Sequence, residues 1–212
     1  MDYPIFSNPD QYLRRREGRL SIWRRLKRYF EFRAISQCLS HATDIHSVCD
    51  VPCGPGRLFE YWAKRGWAVH GLDLSDQMVD AATAIHQHLG LQGDVGLENI
   101  FESNLSELSV LPAADLYASV RFIYYFERSK RIELLKILSY ASNRYVLIQY
   151  KSLETRKGTK NAARQKDQGV YTKYFCHHRD IREEIEASGM KFVCLHIIDQ
   201  SSDRVFALAE NR

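Results

Sequence analysis

The residues of this chain that could do chemistry lie in two short stretches. Val48-Cys49-Asp50-Val51-Pro52-Cys53-Gly54-Pro55-Gly56-Arg57-Leu58 reads as a buried strand, a tight turn and the start of a helix. Two glycines in the turn let backbone N–H groups come close to a ligand, because no Cβ stands in the way. About 20 residues on, Val69-His70-Gly71-Leu72-Asp73-Leu74-Ser75 reads as a second short apolar strand with an acid near its end. In an open α/β sheet such strand ends line the ligand crevice, and an acid there accepts hydrogen bonds from a ribose. The pair predicts a nucleoside-containing cofactor. A dinucleotide-binding turn would need a third glycine three residues after Gly56, where Phe59 stands. A phosphate-cradling loop would need Gly-Lys-Ser/Thr, which the sequence does not contain.

The two stretches together resemble the first and second motifs of the class I S-adenosylmethionine-dependent methyltransferases. Asp50, Gly54 and Gly56 match the acid and two of the glycines of the first motif, and Pro52 stands where its leading glycine is common. Gly71-Leu72-Asp73-Leu74-Ser75-Asp76-Gln77-Met78-Val79 is similar to the second. The resemblance implies S-adenosyl-L-methionine as cofactor and S-adenosyl-L-homocysteine as product. It assigns Asp73 to the ribose hydroxyls and Met78 to the adenine. It also places Pro52, Cys53, Leu74, Leu105 and Ser119 along the cofactor. Where the family usually offers an acid to the adenine amino group, this chain has Asn104, whose carbonyl can accept the same bond.

Acceptor chemistry is less marked. The carboxyl ends of the strands place Arg121, Tyr124 and Tyr125 after the fourth strand and Tyr150 after the fifth. Methyl transfer from a sulfonium asks chiefly that the nucleophile be held in line. A hydroxyl acceptor also wants a base within reach. Tyr124, Tyr125 and Tyr150 are the best-placed catalytic candidates, with His177 and His178 able to approach from a long loop. The family's nitrogen-methylating tetrapeptide, Asn/Asp-Pro-Pro-Tyr/Phe, is replaced by Ser119-Val120-Arg121-Phe122, which disfavours base or amide methylation and slightly favours O-methylation, with the acceptor atom left open. Cys176-His177-His178 lacks the ligand separation of a structural zinc site, so no metal is expected.

The elements that must position these groups alternate. Strands are expected over 45–51, 67–72, 95–101, 114–120 and 144–150, with helices over 57–65, 75–89 and 127–140. A last helix over 178–188 leads into strands over 191–198 and 204–209, joined by a polar turn. This alternation implies βαβ units. The expected fold is α/β, a Rossmann-like doubly wound sheet of seven mostly parallel strands with a C-terminal antiparallel hairpin. Residues 1–40 form an N-terminal helical lid and 41–212 the methyltransferase domain. Within the lid Leu20, Trp23, Leu26, Phe30 and Ile35 fall near a helical period and predict its buried face. Residues 151–173 hold few apolar side chains and read as a long functional loop.

Charge is uneven. Net charge is +4, yet residues 1–40 alone carry nine Lys or Arg against four acids. Residues 151–173 carry seven bases against two acids. Both segments are expected to border one pocket, which predicts a small or medium-sized anionic acceptor bound by Arg121, Arg156 and Lys157. No run approaches the length of a membrane span. Five cysteines without paired spacing argue against a disulfide framework and for a cytoplasmic setting. Two other readings stay open: an RNA methyltransferase, weakened by the lack of a dedicated RNA-binding domain, and a cofactor- or partner-binding module without turnover.

Overall fold

Short apolar strands cannot bury two faces alone, so each is covered by the helices that connect it to the next. The computed structural model describes residues 22–101, 111–169, 171–199 and 201–212. The elements in order are α1 (Ile22–Leu39), β1 (Ser47–Asp50), α2 (Phe59–Ala63), β2 (Ala68–Asp73), α3 (Asp76–His88), β3 (Val95–Leu97) and β4 (Ala114–Ser119). A single 3-10 turn (Ile123–Tyr125) precedes α4 (Arg128–Ala141), β5 (Ser142–Lys151), α5 (Arg156–Asp167), α6 (His178–Ala187), β6 (Lys191–Ile197) and β7 (Arg204–Glu210).

The strands make one seven-stranded sheet in the order β3-β2-β1-β4-β5-β7-β6. β1 to β5 run parallel, and β7 is antiparallel to both of its neighbours. The chain winds outward from β1 through β2 to β3, then returns to the other side of β1 for β4 and β5. That reversal opens the crevice in which doubly wound sheets bind ligands. β7 enters from the same edge, because Lys151 at the end of β5 pairs with Arg204 at the start of β7.

Two apolar layers hold the helices on. On one face Leu134, Leu135 and Leu138 of α4 and Ile181 and Ile185 of α6 pack on Val146, Ile148 and Tyr150. On the other, Ile35 and Cys38 of α1, Leu58, Phe59, Trp62 and Ala82 pack on Val48, Val69, Leu116 and Leu147. Among the described residues no helix is long and apolar enough to cross a membrane.

Three expectations are corrected. The third strand stops at Leu97. The buried stripe of α1 is Glu31, Ala34, Ile35, Cys38 and Leu39, while Trp23 and Leu26 are exposed. Leu20 lies outside the described residues. Residues 151–173 are not one long loop, because 156–167 form a helix. Thr155 caps α5 by accepting the Gly158 N–H at 3.0 Å, and Arg164 and Lys166 sit in the last turn where the helix dipole favours them. What the helix lacks in apolar anchors it replaces with backbone contact. Gly158 lies so close to β5 that an added Cβ would sit 1.7 Å from the Ser152 carbonyl. Asn161 donates to Asp203 at 2.9 Å.

Candidate active site

The glycine turn is stitched across the crevice. Val51 N–H donates to the Ala118 carbonyl of β4 at 2.9 Å, and Cys53 N–H to the Leu72 carbonyl of β2 at 2.8 Å. Gly54 and Gly56 both take positive φ, +53° and +67°. Their surroundings differ. A Cβ on Gly56 would stand 2.8 Å from the Phe59 ring, whereas one on Gly54 would meet nothing within 4 Å. Gly54 therefore presents bare backbone to open space, which is what close approach of a ligand requires. Asp73 completes the turn from β2. Its Oδ2 accepts the Gly54 N–H at 2.8 Å and its Oδ1 the Ser75 N–H at 3.0 Å. Each oxygen keeps a further lone pair for a ligand hydroxyl. Leu74 beside it is exposed and Met78 half-buried. Ser119, at the end of β4, has a buried hydroxyl with no partner among the described residues. Bare glycine backbone, a carboxylate and an orphaned hydroxyl along one edge fit a ribose-bearing cofactor.

Asp50 ends β1 beneath this turn and is buried. Burial pushes its carboxyl up to about 7; Arg57 opposes the shift and Asp73 reinforces it. Pro52 is half-buried and Cys53 buried in the turn itself.

A second centre was not foreseen. Glu31 of α1 is only 3% exposed. It receives Arg57 at 2.8 Å, Arg121 at 3.1 Å, Arg204 at 3.7 Å and the Gln149 amide at 3.2 Å. Burial alone would raise its pKa, yet the three guanidiniums hold it down to about 2. Arg121 takes part from a left-handed backbone, φ +66°, unusual for a residue with a Cβ. The sequence carried one signal for this hub: Glu31, Ile35 and Cys38 fall at i, i+4 and i+7, which puts an acid on the apolar stripe of a basic helix.

The tyrosines separate. Tyr124 is buried, with Tyr125 tilted against it at 4.8 Å between ring centroids. Burial holds its hydroxyl well above the usual range, so it stays protonated. Tyr150 points away, into the α4–α6 layer, where its hydroxyl donates to Glu184 at 3.3 Å. Glu184 also pairs with Arg131. Beside Tyr124 lies a group the sequence reading missed. Lys151 is 6% exposed, bonds Asp203 at 2.6 Å and sits 5.3 Å over the Tyr124 ring. Burial lowers it to about 8 against the pull of Asp203. A lysine poised near neutrality at the carboxyl end of a strand suits proton transfer.

Arg156 and Lys157 are exposed on the first turn of α5, beyond the same sheet edge. His177 caps α6. His178 is tied to the Ser152 hydroxyl at 2.9 Å and to Glu154 at 2.7 Å. Asn104 and Leu105 lie outside the described residues.

Residues 48–140 match the methyltransferase-domain family. The chain is 35% identical over 83 residues to the malonyl-[acyl-carrier protein] O-methyltransferase of Salmonella typhimurium. That match spans 37% of this chain and 33% of the relative's length. Among solved structures, magnesium protoporphyrin IX methyltransferase from Synechocystis, with S-adenosylhomocysteine bound, superposes with a TM-score of 0.75. The superposition covers 97% of this chain and 95% of that one at 14% identity. An S-adenosylmethionine-dependent methyltransferase from Clostridium acetobutylicum superposes at 0.65, covering 99% and 98% at 13% identity. Fold and family model point the same way: residues 48–140 match a methyltransferase domain, and the chain has the fold of S-adenosylmethionine-dependent methyltransferases.

Proposed function

We propose that the chain methylates an oxygen of a small or medium-sized anionic acceptor, with S-adenosylmethionine as methyl donor. The observation that carries this reading is Asp73 held at the crevice by the Gly54 N–H, with Arg57, three residues on from Gly54, reaching into a centre of three guanidiniums. When bound, the cofactor supplies an electrophilic methyl group on a sulfonium sulfur. The chain's own residues do the rest. Gly54 gives backbone access, Gly56 lets the turn pack on Phe59, Asp73 accepts the ribose hydroxyls, and Leu74 and Met78 flank the adenine. Ser119 offers its unpartnered hydroxyl to the cofactor. Asp50, Pro52 and Cys53 shape the turn; Asn104 is proposed for the adenine amino group and Leu105 for the cofactor.

Arg121, with Arg156 and Lys157 further out, would draw and orient the acceptor's negative charge. Tyr124 and Tyr125 orient the acceptor oxygen. Lys151 joins them as the group that can take its proton near neutral pH. Tyr150 serves this centre only through the packing of β5. The N-terminal helical segment acts as a lid anchored by Glu31. The similarity to a malonyl-[acyl-carrier protein] O-methyltransferase, and the missing nitrogen-methylating tetrapeptide, both support oxygen as the acceptor atom. The free thiols agree with a cytoplasmic setting.

Calorimetric titration with S-adenosylmethionine and S-adenosylhomocysteine tests the cofactor half. Wild type should bind both, and Asp73→Asn should weaken binding at least about tenfold, roughly 1.4 kcal/mol, while keeping its fold. No binding by folded wild type would overturn the reading.

A further inference from the structure

On the α1 face of the sheet, three donors from distant parts of the sequence converge. Cys38 lies in the last turn of α1, and Cys194 and His196 lie on β6. One donor atom from each stands within 4.8 Å of the other two. The convergence has a local cause. β6 carries an extra residue, Val193, because its pairing with β7 passes from Phe192↔Ala209 to Cys194↔Leu208. A bulge of this kind breaks the alternation of a strand and re-aims the side chains beyond it. Phe192, Leu195 and Ile197 accordingly pack on one layer, and Val193, Cys194 and Ile198 on the other. His196, two residues past Cys194, shares its side of the strand. An unbulged strand would put Cys194 on the side of Phe192, facing away from Cys38.

The Cys38 and Cys194 thiols meet each other, and the cluster has few partners outside itself. Cys38 is fully buried, and its thiol reaches the Phe206 carbonyl at a long 3.5 Å. The Cys194 thiol meets the Cys38 carbonyl at 3.8 Å. His196 Nε2 is out of contact with water and has no hydrogen-bond partner among the described residues. Leaving such a nitrogen unpaired costs on the order of 1–3 kcal/mol. A second imidazole, His41, stacks on His196 with centroids 5.8 Å apart.

We propose that Cys38, Cys194 and His196 bind one zinc ion, with His41 or water in the fourth position. Thiolate and imidazole are the ligands zinc favours: with His41 the set is that of a closed structural site, and with water it keeps an open position. Zinc bond lengths place tetrahedral ligand atoms about 3.3–3.8 Å apart, so the cluster closes by roughly 1 Å on binding. Both thiols release their protons as the metal enters, which leaves the site neutral. The ion ties the end of α1 to β6. Glu31, two turns back on the same helix, holds Arg57 and Arg121, so the metal would fix the helix in register over the crevice.

The test uses the full chain, reduced with a phosphine, stripped with EDTA and titrated with Co²⁺ as a spectroscopic probe. One equivalent should produce thiolate-to-cobalt charge-transfer absorption and tetrahedral d–d bands, and one equivalent of Zn²⁺ should bleach them. Cys194→Ser should abolish the charge-transfer band with an unchanged far-ultraviolet circular dichroism spectrum. Cys194 is only half-buried, so this variant reports even if Cys38→Ser fails to fold. His196→Gln should keep the band and need at least about tenfold more metal. Zn²⁺ should raise the melting temperature of wild type and not of Cys194→Ser. Folded, reduced wild type without a cobalt–thiolate band would overturn the site. So would bands that persist in Cys194→Ser.

Discussion

Asp50 and Glu31 are both buried carboxyl groups, and their surroundings drive them in opposite directions. Glu31 has three guanidiniums and an amide in reach and is held at about 2. Asp50 has one guanidinium, that of Arg57, set against its burial and rises to about 7. The consequences for stability are opposite in sign. Glu31, with its folded pKa depressed, contributes stability that is present above about 4.5 and is lost as pH falls toward 2. Asp50, with its folded pKa raised, contributes stability that is full below about 3.8 and is lost as pH rises through 7. Wild type should therefore lose up to about 3 kcal/mol between pH 5 and pH 8 from this one group. Asp50→Asn should show a shallower decline in urea-unfolding stability over that window. Parallel pH profiles for the two proteins would show that Asp50 is ionised throughout.

At the scale of elements, the strands and the helices α2, α3, α4 and α6 follow the pattern of apolar residues. Two elements do not. α5 contains no apolar side chain larger than alanine, so periodicity is silent over it. It forms because good helix formers come after a threonine cap and because one glycine lets it settle on the Ser152 carbonyl. Gly158→Ala should force the helix off the sheet edge, at a cost of roughly 1–3 kcal/mol. A drop of several degrees in melting temperature, with earlier proteolytic cleavage within 153–169, is the expected result. An unchanged melting temperature would mean that the helix does not need this contact. α1 misleads in another way. Its sequence offers an apolar stripe through Trp23 and Leu26, yet the face that docks is the one carrying Glu31, Ala34, Ile35 and Cys38. Small residues and one acid fit against the sheet because the arginines awaiting the acid are already there.

At the scale of the whole molecule, basic groups from four separate stretches meet at one edge of the sheet: Arg57, Arg121, Lys151 with α5, and Arg204. Among the described residues, Glu31, Asp203 and, beside Arg57, Asp50 are the buried acids that stand with them. Such a concentration raises the local level of an anionic ligand and is screened by salt. Replacing Arg156, Lys157 and Lys160 together with glutamate should raise the acceptor KM about tenfold at low ionic strength, less at high salt, and leave cofactor affinity unchanged. An unchanged KM would remove α5 from acceptor binding.

The sequence by itself determined the alternation of strands and helices, the glycine turn, the acid at the end of β2 and the closing hairpin. Each is written in neighbouring residues: period, turn chemistry and spacing are local quantities. The tertiary structure decided what depends on distant residues meeting. Glu31 becomes a hub only because β4, β5 and β7 bring Arg121, Gln149 and Arg204 to it. Lys151 becomes a titratable group near neutrality only once burial lowers it further than Asp203 can hold it up. Tyr150 joins the α4–α6 layer instead of the crevice because a strand's alternation turns it to the other face, and Cys38 meets Cys194 and His196 because a bulge turns them back. Burial and long-range juxtaposition set charge state and partner, and neither is carried by any single stretch of the chain.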